Sequence, residues 1–247
     1  MKPLYGLVGR RLGHSFSARF FADKFAKEGI DAEYRNFELT TIDEFPRVLQ
    51  ENPNLKGFNV TLPYKEEIIP FLDSLSGEAR QIGAVNCVKV EDGRLTGHNT
   101  DAYGFCNSLL HLIGDERPDA LVLGTGGASK AVKYILQQLG IRFRSVSRSH
   151  KNGDLTYDDL AANPSIVGDT KLIINATPLG TFPDVDTFPD LPYSAVTPGH
   201  YFFDLVYNPE QTLFMRKGAE YGAKTSNGYE MLVGQAIKAW GIWSGNE

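Results

Sequence analysis

Hydrophobic positions along the chain alternate between strand-like and helix-like spacings from the first residues onward. Leu4–Gly9 is an apolar run typical of a buried strand. Phe21 and Phe25 then lie on one face of a predicted helix, which Ser17 caps and Gly29 ends. The same criteria predict strands at Ala32–Leu39, Leu55–Leu62 and Ala84–Val90, and helices at Ile42–Gln50 and Tyr64–Leu72.

A turn signal between two alternating segments predicts a β-hairpin. Asp92-Gly93 follows Ala84–Val90, so Arg94–Asn99 is expected to return antiparallel to it. The return strand delivers Asn99-Thr100-Asp101 to the start of the next helix, and one of the last two residues would cap it. Because the other strands alternate with helices, the pattern indicates a mostly parallel sheet with this hairpin at its edge.

The rhythm of the pattern changes after Arg117. A short apolar strand, Ala120–Leu123, runs into the glycine-rich segment Gly124–Ser129, and a helix closed by Gly140 follows. We place a domain boundary near Asp101, with α/β structure on both sides of it. The remaining predicted elements are strands at Ile141–Ser147, Lys171–Ala176, Tyr201–Val206 and Ala223–Ser226, and helices near Glu210–Tyr221 and at Gly228–Trp243.

Composition and charge exclude several classes of partner. The 247-residue chain is 42% hydrophobic and 22% charged, and its net charge of -5 leaves no basic surplus to neutralise nucleic-acid phosphates. No apolar run approaches the length of about 20 residues that a membrane span needs, and the amino terminus lacks the apolar core of a signal peptide. Cys87 and Cys106 cannot form a disulfide framework or a metal site by themselves and are expected to be buried thiols. We therefore expect a soluble cytoplasmic protein with no nucleic-acid or membrane partner.

The segment Gly57–Lys65 brings an amide, a hydroxyl and an amine together at the end of a predicted strand. Alternation places Asn59 and Thr61 on one face of that strand, and Pro63 should end it because proline cannot donate to a sheet. Lys65 then falls at the start of the predicted helix that follows. This arrangement is typical of a binding site, although an ordinary loop with a solvated lysine fits the same pattern.

The glycine-rich segment Gly124–Ser129 has the setting of a dinucleotide-binding loop. It follows a predicted strand and opens a helix, whose first backbone N–H groups would hold a pyrophosphate. Ser129 replaces the third glycine of the usual pattern, and a tight strand-to-helix turn without a ligand fits the segment as well.

The end of the next predicted strand distinguishes between the two nicotinamide cofactors. An NAD site usually has an acidic residue there, but this chain has Ser147-Arg148-Ser149-His150-Lys151, and the first carboxylate after it is Asp154. A guanidinium and neighbouring hydroxyls bind a 2′-phosphate through charge-assisted hydrogen bonds. The segment therefore favours NADP, unless it is only an exposed basic turn.

Lys65 and Asp101 each follow a predicted strand and form a candidate acid–base pair. Reduction of a ketone needs a proton donor at the oxygen, and a lysine beside an orienting carboxylate can fill that role. Asp101 equally suits a helix cap. Ser15 and Ser17 are either helix caps or ligands of a substrate carboxylate, and His14 has no metal-ligand spacing. No metal is expected.

Taken in order and spacing, these segments resemble the shikimate dehydrogenase family over nearly the whole chain. The resemblance implies an α/β protein with a cleft between two domains. These are a mostly parallel substrate-binding domain at 1–101, completed by the C-terminal helix 228–247, and a Rossmann-like, doubly wound NADP-binding domain at 102–227. It also implies the reversible, NADP-linked reduction of 3-dehydroshikimate to shikimate, on the route to chorismate and the aromatic amino acids. The expected assembly is a monomer or a homodimer. The matching segments are Gly13–Ser17, Gly57–Lys65, Ala84-Val85-Asn86, Asn99–Ala102, Gly124–Ser129, Asn175-Ala176-Thr177 and Gly228–Ala236.

The resemblance further implies roles for individual residues. Lys65 would be the catalytic acid/base with Asp101 as its partner, and Ser15 and Ser17 would bind the substrate carboxylate. The residues around the substrate ring and its hydroxyls would be Asn59, Thr61, Asn86, Asp101, Tyr207 and Gln235. The cofactor would contact Gly124, Thr125, Gly126, Gly127 and Ala128 through its pyrophosphate, Ser147, Arg148, Ser149 and Lys151 through its 2′-phosphate, and Thr177, Leu205 and Gly228 at its nicotinamide end.

Several positions depart from the family pattern. Arg11 and Ala18 replace prolines on either side of the serine pair, which would loosen that loop, and Lys151 is the nearest second cation to Arg148. The segment 149–170 is short for the helix and strand that normally fill it, so we expect a reduced element there. Two alternatives stay open: a quinate/shikimate dehydrogenase with relaxed substrate or NAD use, against which Arg148 argues, and a non-catalytic ligand sensor, which would not need Lys65.

Overall fold

The computed structural model describes residues 1–13 and 15–246, which form two compact units. The first unit comprises Met1–Thr100 together with the chain from Gln235 onward, and the second comprises Asp101–Gly234. The chain therefore enters the second unit at Asp101. It returns to the first unit within the C-terminal helix, at Gln235.

The first unit is built on a mixed sheet. Its strands are β1 (Leu4–Gly9), β2 (Glu33–Glu38), β3 (Leu55–Val60), β4 (Ser74–Leu75), β5 (Cys87–Glu91) and β6 (Arg94–His98). The order is β2-β1-β3-β5-β6-β4, in which β1, β2 and β3 are parallel and β5 is antiparallel to its neighbours. The predicted hairpin is confirmed, because Glu91 pairs with Arg94 across Asp92 and Gly93, which both have positive φ.

The helices α1 (Phe16–Glu28), α2 (Phe45–Glu51) and α3 (Gly77–Ile82) belong to the first unit. The helix predicted at Tyr64–Leu72 is wrong: turns lead from Leu62 to a 3-10 helix at Ile69–Phe71. Pro70 opposes an α-helix at this point because it has no N–H to donate. The preceding strand also ends earlier than predicted, at Val60 rather than Leu62.

The second unit is built on a parallel sheet. Its strands are β7 (Ala120–Leu123), β8 (Phe143–Ser147), β9 (Leu155–Thr156), β10 (Leu172–Asn175), β11 (Tyr201–Asp204) and β12 (Lys224–Ser226). The order β12-β11-β10-β7-β8-β9 is that of the doubly wound Rossmann fold, which confirms the predicted fold class. The strand order changes direction between the parallel neighbours β7 and β10, and sheets of this kind bind ligands at the carboxyl ends of the strands at such a switch point.

The second unit contains α4 (Asp101–Ile113), α5 (Gly127–Gln138), α6 (Tyr157–Ala162), α7 (Ser165–Asp169) and α8 (Leu213–Glu220), and α9 (Tyr229–Ser244) begins in it. The segment 149–170 holds only the two-residue strand β9 and the short helices α6 and α7, in agreement with the reduced element expected there. Within the described residues, no helix is long and apolar enough to cross a membrane.

The two cysteines differ in their burial. Both are free thiols, but Cys87 is buried whereas Cys106 is only half-buried. The expectation of two buried thiols is therefore confirmed for Cys87 and wrong for Cys106, which lies on α4.

The C-terminal part of α9 completes the core of the first unit. Trp243 stacks on Tyr5 with ring centroids 5.1 Å apart, and its Nε1 donates to the carbonyl of Val88 at 2.9 Å. Gly57 of β3 lies so close that a Cβ at this position would overlap the indole ring. The end of α9 is thus fixed against the sheet by stacking, by a hydrogen bond and by close packing at a glycine.

Candidate active site

Buried polar side chains of the first unit form a hydrogen-bonded cluster. The Nδ2 of Asn86 donates to Thr100 Oγ1 at 3.0 Å, and its Oδ1 accepts from the Thr100 backbone N–H at 2.6 Å. The Oε1 of Gln235 lies 3.5 Å from both Asn86 Nδ2 and Thr100 Oγ1. Asn59 Nδ2 donates to the carbonyl of Asn86 at 3.2 Å. The structure thus brings together three residues predicted to surround the substrate ring, namely Asn59, Asn86 and Gln235.

Thr61 directly follows the end of β3, and Lys65 lies in the turns after it rather than in a helix. Both are half-buried. Tyr64, between them, is fully buried and donates its hydroxyl to the carbonyl of Leu39 at 2.8 Å. The carbonyl of Lys65 accepts from the N–H of Val85 at 2.7 Å. The backbone at Lys65 is therefore held by the buried side chain before it and by the segment leading into β5.

Asp101, the predicted partner of Lys65, is buried and is the first residue of α4. It belongs to the second unit, as does Tyr207, which is 38% exposed. Lys65 belongs to the first unit. The pairing of Lys65 with Asp101 and the contact of Tyr207 with the substrate stay predictions.

The serine pair lies at the start of α1. The cap of this helix is Ser15 and not Ser17 as predicted: Ser15 Oγ accepts from the N–H of Ala18 at 3.2 Å, and its backbone is extended with φ -67 and ψ 118. Two hydroxyls two residues apart both suit a cap in the sequence, and the backbone conformation decides between them. Ser17 is buried within the first turn. His14 lies outside the described residues.

Side chains of β2 contact the loop that carries the serine pair. Asn36 Nδ2 donates to the carbonyl of Leu12 at 3.0 Å, and Glu38 Oε2 accepts from the Leu12 N–H at 2.9 Å. The hydroxyl of Tyr34 donates to Asn59 Oδ1 at 2.9 Å. The sequence pattern predicts these residues only as members of a strand, because the period of a strand identifies the face of a side chain and not its partner.

The glycine-rich segment forms the turn between β7 and α5 that a dinucleotide needs. Gly124 has a φ of 101, and a Cβ there would lie 3.0 Å from Cγ2 of Thr177, so glycine is required. Gly126 is the N-cap of α5 without a side-chain cap bond, and a Cβ on it would meet open space. Ser129 is buried and donates to the carbonyl of Gly126 at 2.6 Å, so it tightens the turn. Residues Gly124–Ala128, including Thr125 and Gly127, therefore fit a pyrophosphate at a helix N-terminus.

The basic segment 147–151 lies at the carboxyl end of β8. Its cationic side chains are exposed, whereas Ser147 is buried and its Oγ accepts from the N–H of Ser149 at 3.1 Å. Asp154, the first carboxylate after the segment, accepts from the N–H of Ser145 at 2.7 Å. That carboxylate is therefore engaged with the backbone of β8, and exposed cations remain at the strand end.

The residues predicted at the nicotinamide end lie together in the second unit. The Oγ1 and backbone N–H of Thr177 donate to Asn175 Oδ1 at 2.6 and 3.1 Å. The N–H of Leu205 donates to the carbonyl of Asn175 at 2.9 Å. A Cβ on Gly228 would overlap the carbonyl oxygen of Leu205, so only glycine fits there. Asn175 therefore joins the ends of β10 and β11, where Thr177 and Leu205 follow.

Asp204, at the end of β11, supports the same region and was not singled out by the sequence pattern. It is fully buried: its Oδ1 accepts from Asn175 Nδ2 at 2.9 Å and from the Val206 N–H at 3.0 Å, and its Oδ2 accepts from Thr212 Oγ1 at 2.6 Å. Burial raises the pKa of Asp204 to about 6, although these hydrogen bonds act to lower it. The signal that could have found Asp204 is a carboxylate at the end of an otherwise apolar strand.

Sequence comparison relates this chain to proteins of known function. The model of the shikimate dehydrogenase substrate binding domain matches residues 7–88. The shikimate dehydrogenase (NADP(+)) of Clostridium beijerinckii is 39% identical over 257 residues, covering 97% of this chain and 91% of that protein. The chain belongs to the shikimate dehydrogenase family.

Solved structures of the family share the fold of this chain. The shikimate 5-dehydrogenase of Thermus thermophilus, in complex with NADP(H) and shikimate, is 32% identical with a TM-score of 0.85, covering 99% of this chain and 94% of its own. The quinate dehydrogenase of Corynebacterium glutamicum, in complex with NAD, is 25% identical with a TM-score of 0.88 and the same coverage of 99% and 94%. Because the fold is common to enzymes with different substrates and cofactors, individual residues must distinguish between them.

Proposed function

We propose that this chain is an NADP-dependent shikimate dehydrogenase, which reversibly reduces 3-dehydroshikimate to shikimate on the route to chorismate and the aromatic amino acids. The observation that carries the proposal is the 39% identity, over 97% of the chain, to an enzyme of that name. The polar cluster around Asn86 and the dinucleotide turn at Gly124 support it, since the reaction needs one region for a polyhydroxylated ring and one for a pyrophosphate.

The proposal assigns the proton transfer to Lys65. When bound, the cofactor supplies the hydride that reaches the carbonyl carbon. Lys65 gives a proton to the carbonyl oxygen during reduction and takes it back during oxidation, with Asp101 orienting the amine. Asn59, Thr61, Asn86, Tyr207 and Gln235 hold the ring and its hydroxyls, and Ser15 and Ser17 hold the carboxylate.

The proposal also assigns the choice of NADP to the segment 147–151. An NAD site would place a free carboxylate at this strand end, but Asp154 is bonded to the backbone of Ser145. The exposed Arg148 and Lys151 suit the 2′-phosphate, with Ser147 and Ser149 beside them. Thr177, Leu205 and Gly228 would contact the nicotinamide end.

The two units would divide these tasks between them. Residues 1–101 with the C-terminal helix would bind the substrate, and residues 102–227 would bind NADP. We further propose a cytoplasmic monomer or homodimer, and sedimentation of the purified protein measures which of the two assemblies is present.

Four parallel assays test the function: the purified protein with shikimate or with quinate, each with NADP or with NAD, followed by nicotinamide absorbance. Turnover of shikimate with NADP is the expected result. Preference for quinate or for NAD would instead indicate the relaxed family member. Binding of shikimate without turnover in any of the four assays would refute the enzyme and indicate a ligand sensor.

A further inference from the structure

One face of β2 contacts both the loop before Ser15 and the polar cluster around Asn86. Tyr34, Asn36 and Glu38 occupy alternate positions of this strand, so their side chains project from the same face. β2 is an edge strand, paired with β1 on one side only. Asn36 and Glu38 contact Leu12 in the loop that leads to Ser15, which we call the serine loop. Tyr34 contacts Asn59, a member of the hydrogen-bonded cluster around Asn86.

The hydroxyl of Tyr34 connects a serine with an asparagine. It donates to Asn59 Oδ1 at 2.9 Å, and the side chain of Ser17 lies beside it, where it acts to lower the pKa of the phenol that burial raises. Asn59 in turn donates through Nδ2 to the carbonyl of Asn86. With its oxygen accepting from Tyr34, the side chain of Asn59 is oriented so that its NH₂ group faces the carbonyl of Asn86.

The ring of Tyr34 is fixed by aromatic neighbours. It stacks on Phe21 of α1 with centroids 4.7 Å apart and an interplanar angle of 13°. Trp243 lies beside it at 6.5 Å. The hydroxyl therefore has a defined position, set by contacts that do not depend on the hydrogen bonds it makes.

Asn36 and Glu38 hold the serine loop at a single residue. The carbonyl of Leu12 accepts from Asn36 and its N–H donates to Glu38, so both backbone groups of Leu12 are bonded to β2. The same carbonyl accepts from the N–H of Ser15 at 3.2 Å, and the Leu12 side chain is buried. The loop that lacks the flanking prolines of the family pattern is thus anchored three residues before Ser15.

We propose that this face of β2 is a positioning element for the substrate carboxylate and ring, with Tyr34 setting Ser17 and Asn59 and with Asn36 and Glu38 setting the loop before Ser15. The inference rests on the proposed function, because it assumes that the serine pair and Asn59 bind shikimate. Under this proposal, residues that do not contact the substrate determine the affinity for shikimate and leave the affinity for NADP unchanged.

The first test removes one hydroxyl. In Tyr34→Phe the stacked ring stays, but Asn59 Oδ1 and Ser17 lose their common partner. We expect the Kd and KM for shikimate to rise about fivefold or more, as for the loss of the hydrogen bond to Asn59, and the KM for NADP to change by less than about twofold. The matched control is Tyr5→Phe, since Tyr5 pairs with Tyr34 across β1 and β2 and belongs to the same aromatic cluster.

The second test acts on exposed residues and so avoids loss of the fold. Glu38→Ala leaves the N–H of Leu12 without its acceptor and should raise the KM for shikimate about threefold, whereas Glu38→Gln keeps an acceptor oxygen and should restore it. Arg35→Ala is the control, because Arg35 lies on the opposite face of β2 and its guanidinium contacts Glu33. Circular dichroism of each variant shows whether it is folded.

The outcomes separate this inference from the proposed function. A wild-type protein that does not turn over shikimate refutes the function. An active wild type with Tyr34→Phe equal to Tyr5→Phe, and Glu38→Ala equal to Arg35→Ala, refutes only the positioning role. Equal rises in the KM for shikimate and for NADP would also overturn it, since they indicate a general loss of structure.

Discussion

Burial of the Asp204 carboxyl group should make the free energy of unfolding depend on pH by an amount that can be calculated. Burial raises its pKa from 3.8 to about 6. Between these two pH values the folded protein keeps a proton on Asp204, whereas the unfolded chain has already released it. The free energy of unfolding contributed by Asp204 is therefore complete below pH 3.8 and falls as the pH rises through about 6. The full difference corresponds to about 3 kcal/mol.

Asp204→Asn removes this titration and keeps the size of the side chain. The amide oxygen can still accept from Asn175 and Val206, and the new NH₂ group can donate to the hydroxyl of Thr212. Relative to this variant, the wild type should lose about 2 kcal/mol of unfolding free energy between about pH 4.5 and about pH 7.5. This interval contains most of the total pH-dependent change of about 3 kcal/mol.

Urea unfolding followed by circular dichroism measures the effect. The difference in midpoint between the wild type and Asp204→Asn should change by about 1 M of urea over this pH range. Both tryptophans lie in the first unit, at positions 240 and 243, so their fluorescence would not report on Asp204 directly. Asp186→Asn, at an exposed carboxylate, is the control. A difference between wild type and Asp204→Asn that stays constant over this pH range would refute the reasoning from burial.

Three further predictions concern catalysis, cofactor choice and packing. Lys65→Ala should lower kcat about 10²- to 10⁴-fold with little change in the Kd for shikimate, and a rise confined to KM would contradict the acid/base role. Arg148→Ala should lower kcat/KM with NADP about tenfold or more and leave that with NAD unchanged; equal losses with both cofactors would exclude a 2′-phosphate contact. Gly57→Ala should destabilise the first unit by about 1–3 kcal/mol through overlap with Trp243, as measured by tryptophan fluorescence during thermal unfolding. Gly77→Ala, where a Cβ meets open space, is its control, and equal Tm values would contradict the packing argument.

The Rossmann unit could be predicted closely from the sequence because its signals are local. Ala120–Leu123 is apolar throughout and becomes β7 without change of bounds, and the glycines after it mark the turn into α5. Asp92-Gly93 is equally local, since positive φ is needed at both turn positions whatever surrounds them.

The errors arise where tertiary contacts override local preference. Ser15 and not Ser17 caps α1 because β2 holds Leu12 and thereby sets the backbone that enters the helix. Between Pro63 and Pro70, the chain forms turns, with Tyr64 and Ile68 fully buried where an amphipathic helix was expected. The contacts of Tyr34 come from three other elements, α1, β3 and α9, so no spacing along the chain could have indicated them.

The place of Trp243 in the first unit has a consequence for the order of folding during synthesis. The second unit is a continuous stretch of chain, Asp101–Gly234, and all of its strands have been made before translation reaches residue 235. The first unit, although its sheet is translated earlier, lacks Ala236, Ala239, Ile242 and Trp243 from its aromatic core until α9 has been translated. The groove beside Gly57 is then an exposed apolar surface on the nascent chain, so the unit that begins synthesis first is the one that completes its folding last.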